Sequence, residues 1–274
     1  MRKNINAFWA VGYVFIFLAI QIIATMLVTL VEQVVHLHDS SIGQGLSPMG
    51  TIVAMVIFSL TAILLFTLLR WAPLTKAYAQ SRPWGVLAWS AVGALGAIIP
   101  SMWVQGFMPD WPELIQRYVE QAEAEATLIA NTRGGYFVIC LLAPVAEEVV
   151  FRGAVLHTLL QWQPHRRWAM IALSALLFAL AHLNPAQLLH PFAIGLLLGW
   201  MYERTGSILP GIVYHWVNNT VAYLLMHAYP DPKITLNDVF GSTSHVLLAV
   251  VFSLLILMPA FYQLNLRMKK PELQ

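Results

Sequence analysis

The stretch that decides the fold runs from Ala146 to Arg152 and reads A-E-E-V-V-F-R. It sets two carboxylates and a guanidinium in the middle of an apolar run over residues 136–160. A charge at bilayer depth costs roughly 3 kcal/mol on insertion scales. Three such charges together indicate a functional site, and we expect the rest of the chain to act as a scaffold that brings partners to them.

The composition is that of a protein that crosses a membrane several times. Of 274 residues, 59% are hydrophobic and 10% are charged, whereas soluble domains carry about 25% charged residues. The formal net charge of +2 gives no reason to expect a nucleic-acid partner. The only cysteine, Cys140, lies in an apolar segment, which excludes an intrachain disulfide and disfavours a cysteine-based metal site. The basic N-terminus leads into a hydrophobic run too long for a cleaved signal peptide, so we expect an uncleaved first span.

Eight hydrophobic segments come close to the roughly 20 residues that a bilayer-spanning helix needs. We therefore predict an all-α, polytopic membrane protein with one domain over residues 1–274. The sixth segment is short and contains Gly195 and Gly199, which predicts either tilt or tight packing against a neighbour. Asn184-Pro185 interrupts the fifth near its end. The predicted segments are 8–31, 49–71, 85–107, 135–160, 168–188, 190–204, 207–228 and 245–266.

Basic residues predict the orientation of these spans. With the N-terminus in the cytoplasm, eleven of the fifteen lysines and arginines fall on the cytoplasmic side, as the positive-inside rule requires. Both termini are then cytoplasmic. The cytoplasmic group consists of Arg2, Lys3, Arg70, Lys76, Arg82, Arg166, Arg167, Arg204, Arg267, Lys269 and Lys270. The opposite side keeps Arg117, Arg133 and Lys233.

The longest segment between spans covers residues 109–133. Trp111, Leu114, Ile115 and Tyr118 recur at helical spacing, and four glutamates supply a polar face. This pattern predicts an amphipathic helix on the outer side of the membrane. A solvated connector and a lid over the substrate are both compatible with it.

Helical geometry separates the three charged residues of the opening stretch into a pair, Glu148 and Arg152, and a single carboxylate, Glu147. Glu148 and Arg152 are four residues apart and share a face, so an ion pair can offset part of their burial cost. A pair that only fixes helix packing is the alternative reading of these two. Glu147 lies about 100° round the helix and need not share the pair. Without a compensating cation it suits the role of a general base.

Two later segments carry further polar groups at membrane depth. His182 ends an apolar helix, where a lone histidine is more often a core residue bonded to a carbonyl. His215 and Asn219 are four apart and project from one face, whereas Asn218 is expected to face elsewhere. Each signal alone is weak. A passive core would rarely place all of them on three separate membrane helices.

These residues resemble the three motifs of the intramembrane CAAX-type glutamic endopeptidases, also called the CPBP family or the Abi group. The motifs Glu147-Glu148-x-x-x-Arg152, Phe178-x-x-x-His182 and His215-x-x-x-Asn219 occur in the family's order within hydrophobic segments. The motif-bearing core covers about 135–228, roughly a third of the chain. The resemblance implies an intramembrane catalytic cavity enclosed by about eight helices.

The resemblance also implies a role for each motif residue. Glu147 would act as the base and, with His182, would position and deprotonate a water molecule. His215 and Asn219 would donate hydrogen bonds to the oxyanion of the tetrahedral intermediate. Glu148 and Arg152 would pair and hold the helix that presents Glu147. The choice of Glu147 over Glu148 as the base comes from the family and not from spacing.

No cofactor is expected, with zinc as the alternative. Glu147, His182 and His215 could form a three-ligand zinc site, although the sequence lacks a His-Glu-x-x-His helix. The remaining histidines show no partner pattern, but His190 and His227 lie near span ends and could approach the cavity. The others without an assigned role are His36, His38, His157, His165 and His245.

The expected function is hydrolysis of a peptide bond in a membrane-associated peptide or protein. The partners would be this substrate and the lipid bilayer, and the setting would be a bacterial cytoplasmic membrane. A proton-coupled transporter and a non-catalytic immunity or interaction protein are the competing functions, since buried Glu, Arg and His also form proton relays. Against a transporter, the two halves show no matching interrupted segments. The sequence leaves the oligomeric state and the natural substrate open.

The predicted boundaries place the two histidines at different depths. His182 would lie about 21 Å and His215 about 12 Å from the cytoplasmic start of its helix. Tilt, the Asn184-Pro185 break or shifted boundaries would have to bring them level. The family resemblance implies that the site opens towards the cytoplasm.

Overall fold

The computed structural model describes residues 6–35, 46–74, 76–107, 111–185, 188–231 and 234–270, and within them every regular element is helical. Arg2, Lys3, His36, His38 and Lys233, named above, lie outside these ranges. The helices are α1 (Ala7–Val35), α2 (Pro48–Leu68), α3 (Ala77–Gln80), α4 (Trp84–Gln105), α5 (Glu113–Asn131), α6 (137–162), α7 (Arg167–Ala181), α8 (Leu189–Thr205), α9 (Leu209–Ala228), α10 (Leu236–Phe240) and α11 (Thr243–Arg267). The predicted all-α, polytopic membrane fold is confirmed.

Among the described residues, four helices are long and apolar enough to cross a bilayer by length and composition, namely α1, α2, α4 and α11. The predicted count of eight is not confirmed, because α6, α7, α8 and α9 are not among these four. Two of them, α7 and α8, are only 15 and 17 residues long. At 1.5 Å per residue α7 measures about 22 Å, less than the roughly 30 Å of a hydrocarbon core. The motif residues lie on α6, on or directly after α7, and on α9.

The helix α7 ends at Ala181, although its apolar pattern predicted a span to residue 188. Leu183 has a φ of +53°, in the left-handed region, and Asn184-Pro185 follows it. Proline disfavours a helical residue before it. The chain therefore leaves the helix directly after His182 and re-enters one at Leu189.

The helix α6 is the centre of the bundle. Every residue from Glu148 to Leu156 is buried, and α1, α2, α7 and α8 pack around this part of it. Phe151 makes edge-to-face contacts with Phe17 of α1 and Phe178 of α7. Two π-helical stretches, Phe137–Leu142 and Glu148–Leu156, widen its turns. Such stretches are rare and are frequent at functional sites.

Glycines let α7 and α8 approach closely. A Cβ at Gly195 would lie 2.8 Å from the Cβ and 2.9 Å from the Cα of Ala175, and one at Gly199 would lie 2.8 Å from Ile171 Cγ2. Real Cβ atoms almost never come so near a neighbour. The tight packing predicted from these two glycines is confirmed, and it follows the small-residue rule of membrane helices.

The basic side chains gather at one end of the bundle, which we call the basic end. Arg167, at the start of α7, lies 3.7 Å from Glu203 near the end of α8. Arg204 donates to the Asn265 carbonyl near the end of α11, and Arg267 lies beside the start of α4. The described basic residues at this end are Arg70, Lys76, Arg82, Arg166, Arg167, Arg204, Arg267, Lys269 and Lys270.

The amphipathic helix α5 lies at the opposite end, which we call the far end. It begins directly after Pro112, and its side chains and carbonyls contact the ends of α7 and α9. Tyr118 donates to the Leu183 carbonyl at 3.0 Å, and Tyr223 donates to the Ala130 carbonyl at 3.0 Å. The predicted helix is thus confirmed within its described residues. Its placement on the outer side of a membrane stays a prediction.

Candidate active site

A cavity of about 440 Å³ collects the predicted chemistry. Glu147 of α6, His182 after α7, and His215 and Asn219 of α9 all line it. Glu148 and Arg152 do not line it and lie fully buried behind it. The structure therefore brings the four predicted catalytic residues together in one cavity, and the two predicted supporting residues are not part of its lining.

The two predicted supporting residues, Glu148 and Arg152, form a buried ion pair. Arg152 Nη1 donates to Glu148 Oε1 at 2.8 Å, and both side chains are at most 1% exposed. The guanidinium also lies 4.4 Å from the centroid of the Phe178 ring and bonds the Gly195 carbonyl at 3.4 Å. Such contacts offset the desolvation of a buried cation. The pair thus ties α6 to α7 and α8.

His215 stands between the two glutamates, a position that the sequence did not predict. Its Nε2 lies 3.7 Å from Glu147 Oε2, and its Nδ1 lies 3.7 Å from Glu148 Oε1. Side chains 100° apart on one helix can flank a single ring from a neighbouring helix, which spacing along α6 alone does not show. Both distances exceed a hydrogen bond, so the ring nitrogens keep their capacity to bond other groups.

His182 is oriented by the helix that it ends. Its Nδ1 lies 2.9 Å from the Phe178 carbonyl, so in the neutral ring Nδ1 carries the proton and Nε2 is left as an acceptor. The Phe178 ring contacts both histidines, with centroid distances of 4.8 Å to His182 and 5.9 Å to His215. The predicted boundaries placed His182 and His215 at different depths in the membrane. In the structure both imidazole rings contact Phe178, so they lie at similar depth.

A chain of amides holds Asn219. Its Nδ2 donates to the Ile139 carbonyl at 3.1 Å, and its Oδ1 accepts from Asn218 Nδ2 at 3.2 Å. One N–H of the Asn219 amide therefore remains for a group in the cavity. The expectation that Asn218 faces elsewhere was wrong, because Asn218 also lines the cavity and is buried. The face of α9 that lines the cavity is therefore wider than the face shared by His215 and Asn219.

Sequence reasoning assigned no role to two further polar residues of the cavity. His190, at the start of α8, lines it, and its Nδ1 is hydrogen-bonded to Ser101 Oγ of α4. Its position near a span end was the only signal in the sequence. Ser101 carried no signal, since a serine in an apolar helix is common. The His190–Ser101 contact joins α8 to α4 at the cavity.

The described residues contain no group of three histidine, cysteine, aspartate or glutamate side chains that converges as a metal site. Glu147, His182 and His215, the alternative zinc ligands, share the cavity without forming such a group. Cys140 is buried and does not line the cavity.

The segment that carries the three motifs is similar to a known protein family. Residues 130–221 match the family described as type II CAAX prenyl endopeptidase Rce1-like. This segment is of the CAAX-endopeptidase family. The match contains all three motifs, from Glu147 to Asn219, so the family recognised from the motifs is confirmed over the segment that carries the four predicted catalytic residues. The CAAX-endopeptidase segment covers about a third of the chain.

One similar curated protein extends beyond the CAAX-endopeptidase segment. An uncharacterized 24.3 kDa protein of Escherichia coli is 26% identical over 199 residues, which span 70% of this chain and 86% of that protein. No solved structure matches the chain. Together with the four apolar helices, the family match supports an integral membrane protein with peptidase activity.

Proposed function

We propose that this chain is an intramembrane endopeptidase in which Glu147 activates a water molecule against a peptide bond. The observation that carries the proposal is the meeting of Glu147, His182, His215 and Asn219 in one cavity, from three separate parts of the chain. A general base, a second proton-accepting group and two hydrogen-bond donors are what hydrolysis of an amide requires.

Glu147 is suited to the base by its contacts. Its side chain is 19% exposed to the cavity, while Glu148 is fully buried and bonded to Arg152. The carboxylate of Glu147 is therefore free to accept a proton from water. In the neutral ring His182 presents its unprotonated Nε2 to the same cavity, because Nδ1–H donates a hydrogen bond to the Phe178 carbonyl. A water molecule held between the two would be oriented for attack.

His215 and Asn219 are suited to stabilise the oxyanion. Asn219 is fixed by Ile139 and Asn218 and keeps one N–H for the cavity. His215 Nε2 is too far from Glu147 for a hydrogen bond and can donate to a substrate oxygen. Donors held in place before the reaction need no reorganisation when the charge develops, which is the usual large term in acyl transfer.

The proton balance follows from these assignments. Water attacks the carbonyl carbon and gives its proton to Glu147, and the carbonyl oxygen becomes the oxyanion. Collapse of the tetrahedral intermediate breaks the C–N bond, and the proton on Glu147 passes to the leaving amine. The products are a carboxylic acid and an amine, and transfer of the remaining proton gives a carboxylate and an ammonium group. The substrate would be a membrane-associated peptide or protein.

The decisive experiment compares Glu147→Gln with Glu203→Gln in purified protein on a set of membrane peptides. Glu203 is a matched control, because its side chain is 17% exposed but lies at the basic end. We expect Glu147→Gln to lower kcat by about 10²–10⁴-fold, the usual contribution of a general base. Glu203→Gln should cleave like the native protein. Full cleavage by Glu147→Gln would rule out the proposed base.

The same preparation separates the competing functions. Cleavage that disappears on dialysis against a chelator and returns with zinc would assign a metal to Glu147, His182 and His215. Ion flux into sealed liposomes that depends on Glu147, without any cleavage, would identify a carrier.

A further inference from the structure

The cavity extends from the catalytic residues towards one end of the bundle only. On α4 its lining residues all lie in the last third, from Ile98 to Gln105. On α9 they run from His215 to Met226, close to the end of the helix. On α8 they are confined to the first turns, with His190 as the outermost. All of these helix ends lie at the far end.

In the other direction the site is closed. Leu156, Leu159, Leu198 and Met201 lie between the catalytic residues and the basic end, and all four have no exposed surface. The Glu148–Arg152 pair forms a fully buried layer directly behind the cavity. Close contact of Gly195 and Gly199 with α7 leaves no channel between these helices. A peptide therefore has no path to Glu147 from the basic end.

The charges identify which side of the membrane each end faces. Nine described lysines and arginines lie at the basic end, against Arg117 and Arg133 at the far end. Membrane proteins keep their lysine- and arginine-rich segments in the cytoplasm. The basic end is then cytoplasmic, and the cavity mouth faces away from the cytoplasm. The family resemblance implied the opposite opening.

We propose that the active site is loaded from the extracytoplasmic face of the membrane. The inference rests on the proposed function, since it concerns the substrates of the same site. Its substrates are peptide bonds presented on that face, in exported peptides or in the extracytoplasmic parts of membrane-anchored ones. From the end of α9 to His215 is about 20 Å at 1.5 Å per residue, so the cleaved segment enters unfolded or unwound.

The single cysteine makes the test direct. Cys140 is buried, and a Cys140→Ala protein provides a background for single cysteines. Gln105→Cys reports the cavity mouth, Lys269→Cys the basic end, and Glu120→Cys the exposed face of α5. Each variant is treated with a membrane-impermeant maleimide in sealed right-side-out and inverted vesicles. Cleavage in detergent is measured in parallel, because it does not depend on orientation.

We expect Gln105→Cys and Glu120→Cys to react at least ten times faster in right-side-out vesicles, and Lys269→Cys in inverted ones. Reaction of Gln105→Cys from the same side as Lys269→Cys would show that the cavity opens at the basic end and would overturn the proposal. Reaction of Lys269→Cys from the outside would overturn it as well, by reversing the topology. Neither result would contradict the proposed function. That function is tested separately, by cleavage with the detergent-solubilised Glu147→Gln variant.

Discussion

The residues around His215 show how three charges can be held at membrane depth. Arg152 neutralises Glu148 at 2.8 Å, and both are buried almost completely. Glu147 has no such cation and faces the cavity beside His215. One carboxylate is thereby committed to structure and the other is left available for chemistry, although the two are adjacent in sequence.

The first prediction concerns the buried pair. Arg152→Met leaves Glu148 as an uncompensated buried charge, which typically costs about 3–5 kcal/mol. We expect a large fall in the midpoint of thermal unfolding in detergent, and recovery of much of it in the double variant Glu148→Gln/Arg152→Met. Arg167→Met is the matched control, because the Arg167 side chain is 54% exposed and lies 3.7 Å from Glu203, and ion pairs in contact with water contribute about 0–1 kcal/mol. A double variant no more stable than Arg152→Met alone would contradict the argument.

At the scale of elements, the irregular parts of the helices lie beside the proposed catalytic residues. The helix α6 has two π-helical stretches that flank Glu147, and α7 stops directly before His182. An unbroken α7 would have carried the chain past the cavity. Apolar periodicity does not reveal a π turn, because the residues on both sides remain hydrophobic.

The second prediction concerns α5, which lies outside the spans. Partial burial raises the pKa of Glu123 above its ordinary value, and repulsion from Glu120 adds to this. A carboxyl with a raised pKa in the folded state destabilises the fold at neutral pH. That penalty is relieved as the pH falls through the raised pKa.

The measurement is the unfolding temperature of Glu123→Gln as a function of pH. We expect the variant to be more stable than the native protein at neutral pH, with the difference vanishing below the ordinary glutamate pKa of about 4.5. Glu120→Gln should give a smaller gain in the same direction, because it removes only the repulsion. A stability difference that grows towards low pH would refute the assigned cause.

For the whole molecule, charge is distributed unequally between the two ends. The basic end carries nine of the twelve lysines and arginines described, while the far end is mainly acidic. The acidic residues there include Glu113, Glu120, Glu123, Glu125, Asp231 and Asp238. Their field surrounds the mouth of the cavity and favours cations near it.

The third prediction is a preference for cationic substrates. A unit charge pair about 10 Å apart in water contributes about 0.4 kcal/mol, or roughly twofold in binding. Peptides with lysines flanking the cleaved bond should therefore show a KM several-fold lower than matched peptides with glutamates. The difference should shrink at 1 M salt, where the screening length falls to about 3 Å. Equal KM values at low salt would show that the acidic mouth does not contribute.

Local patterns along the chain were enough to predict the membrane class, the amphipathic α5, the ion pair of Glu148 with Arg152 and the identity of the motif residues. These follow from composition, from i, i+4 spacing and from the cost of charge in an apolar environment, all of which are local. The packing of the helices was needed to show that His215 lies between the glutamates, that Asn218 and His190 line the cavity, and that α7 ends early. Contacts between helices depend on the depth and rotation of each helix, which the pattern along one helix does not contain. The same holds for the direction in which the cavity opens, because that depends on which helix ends leave space and which are packed shut.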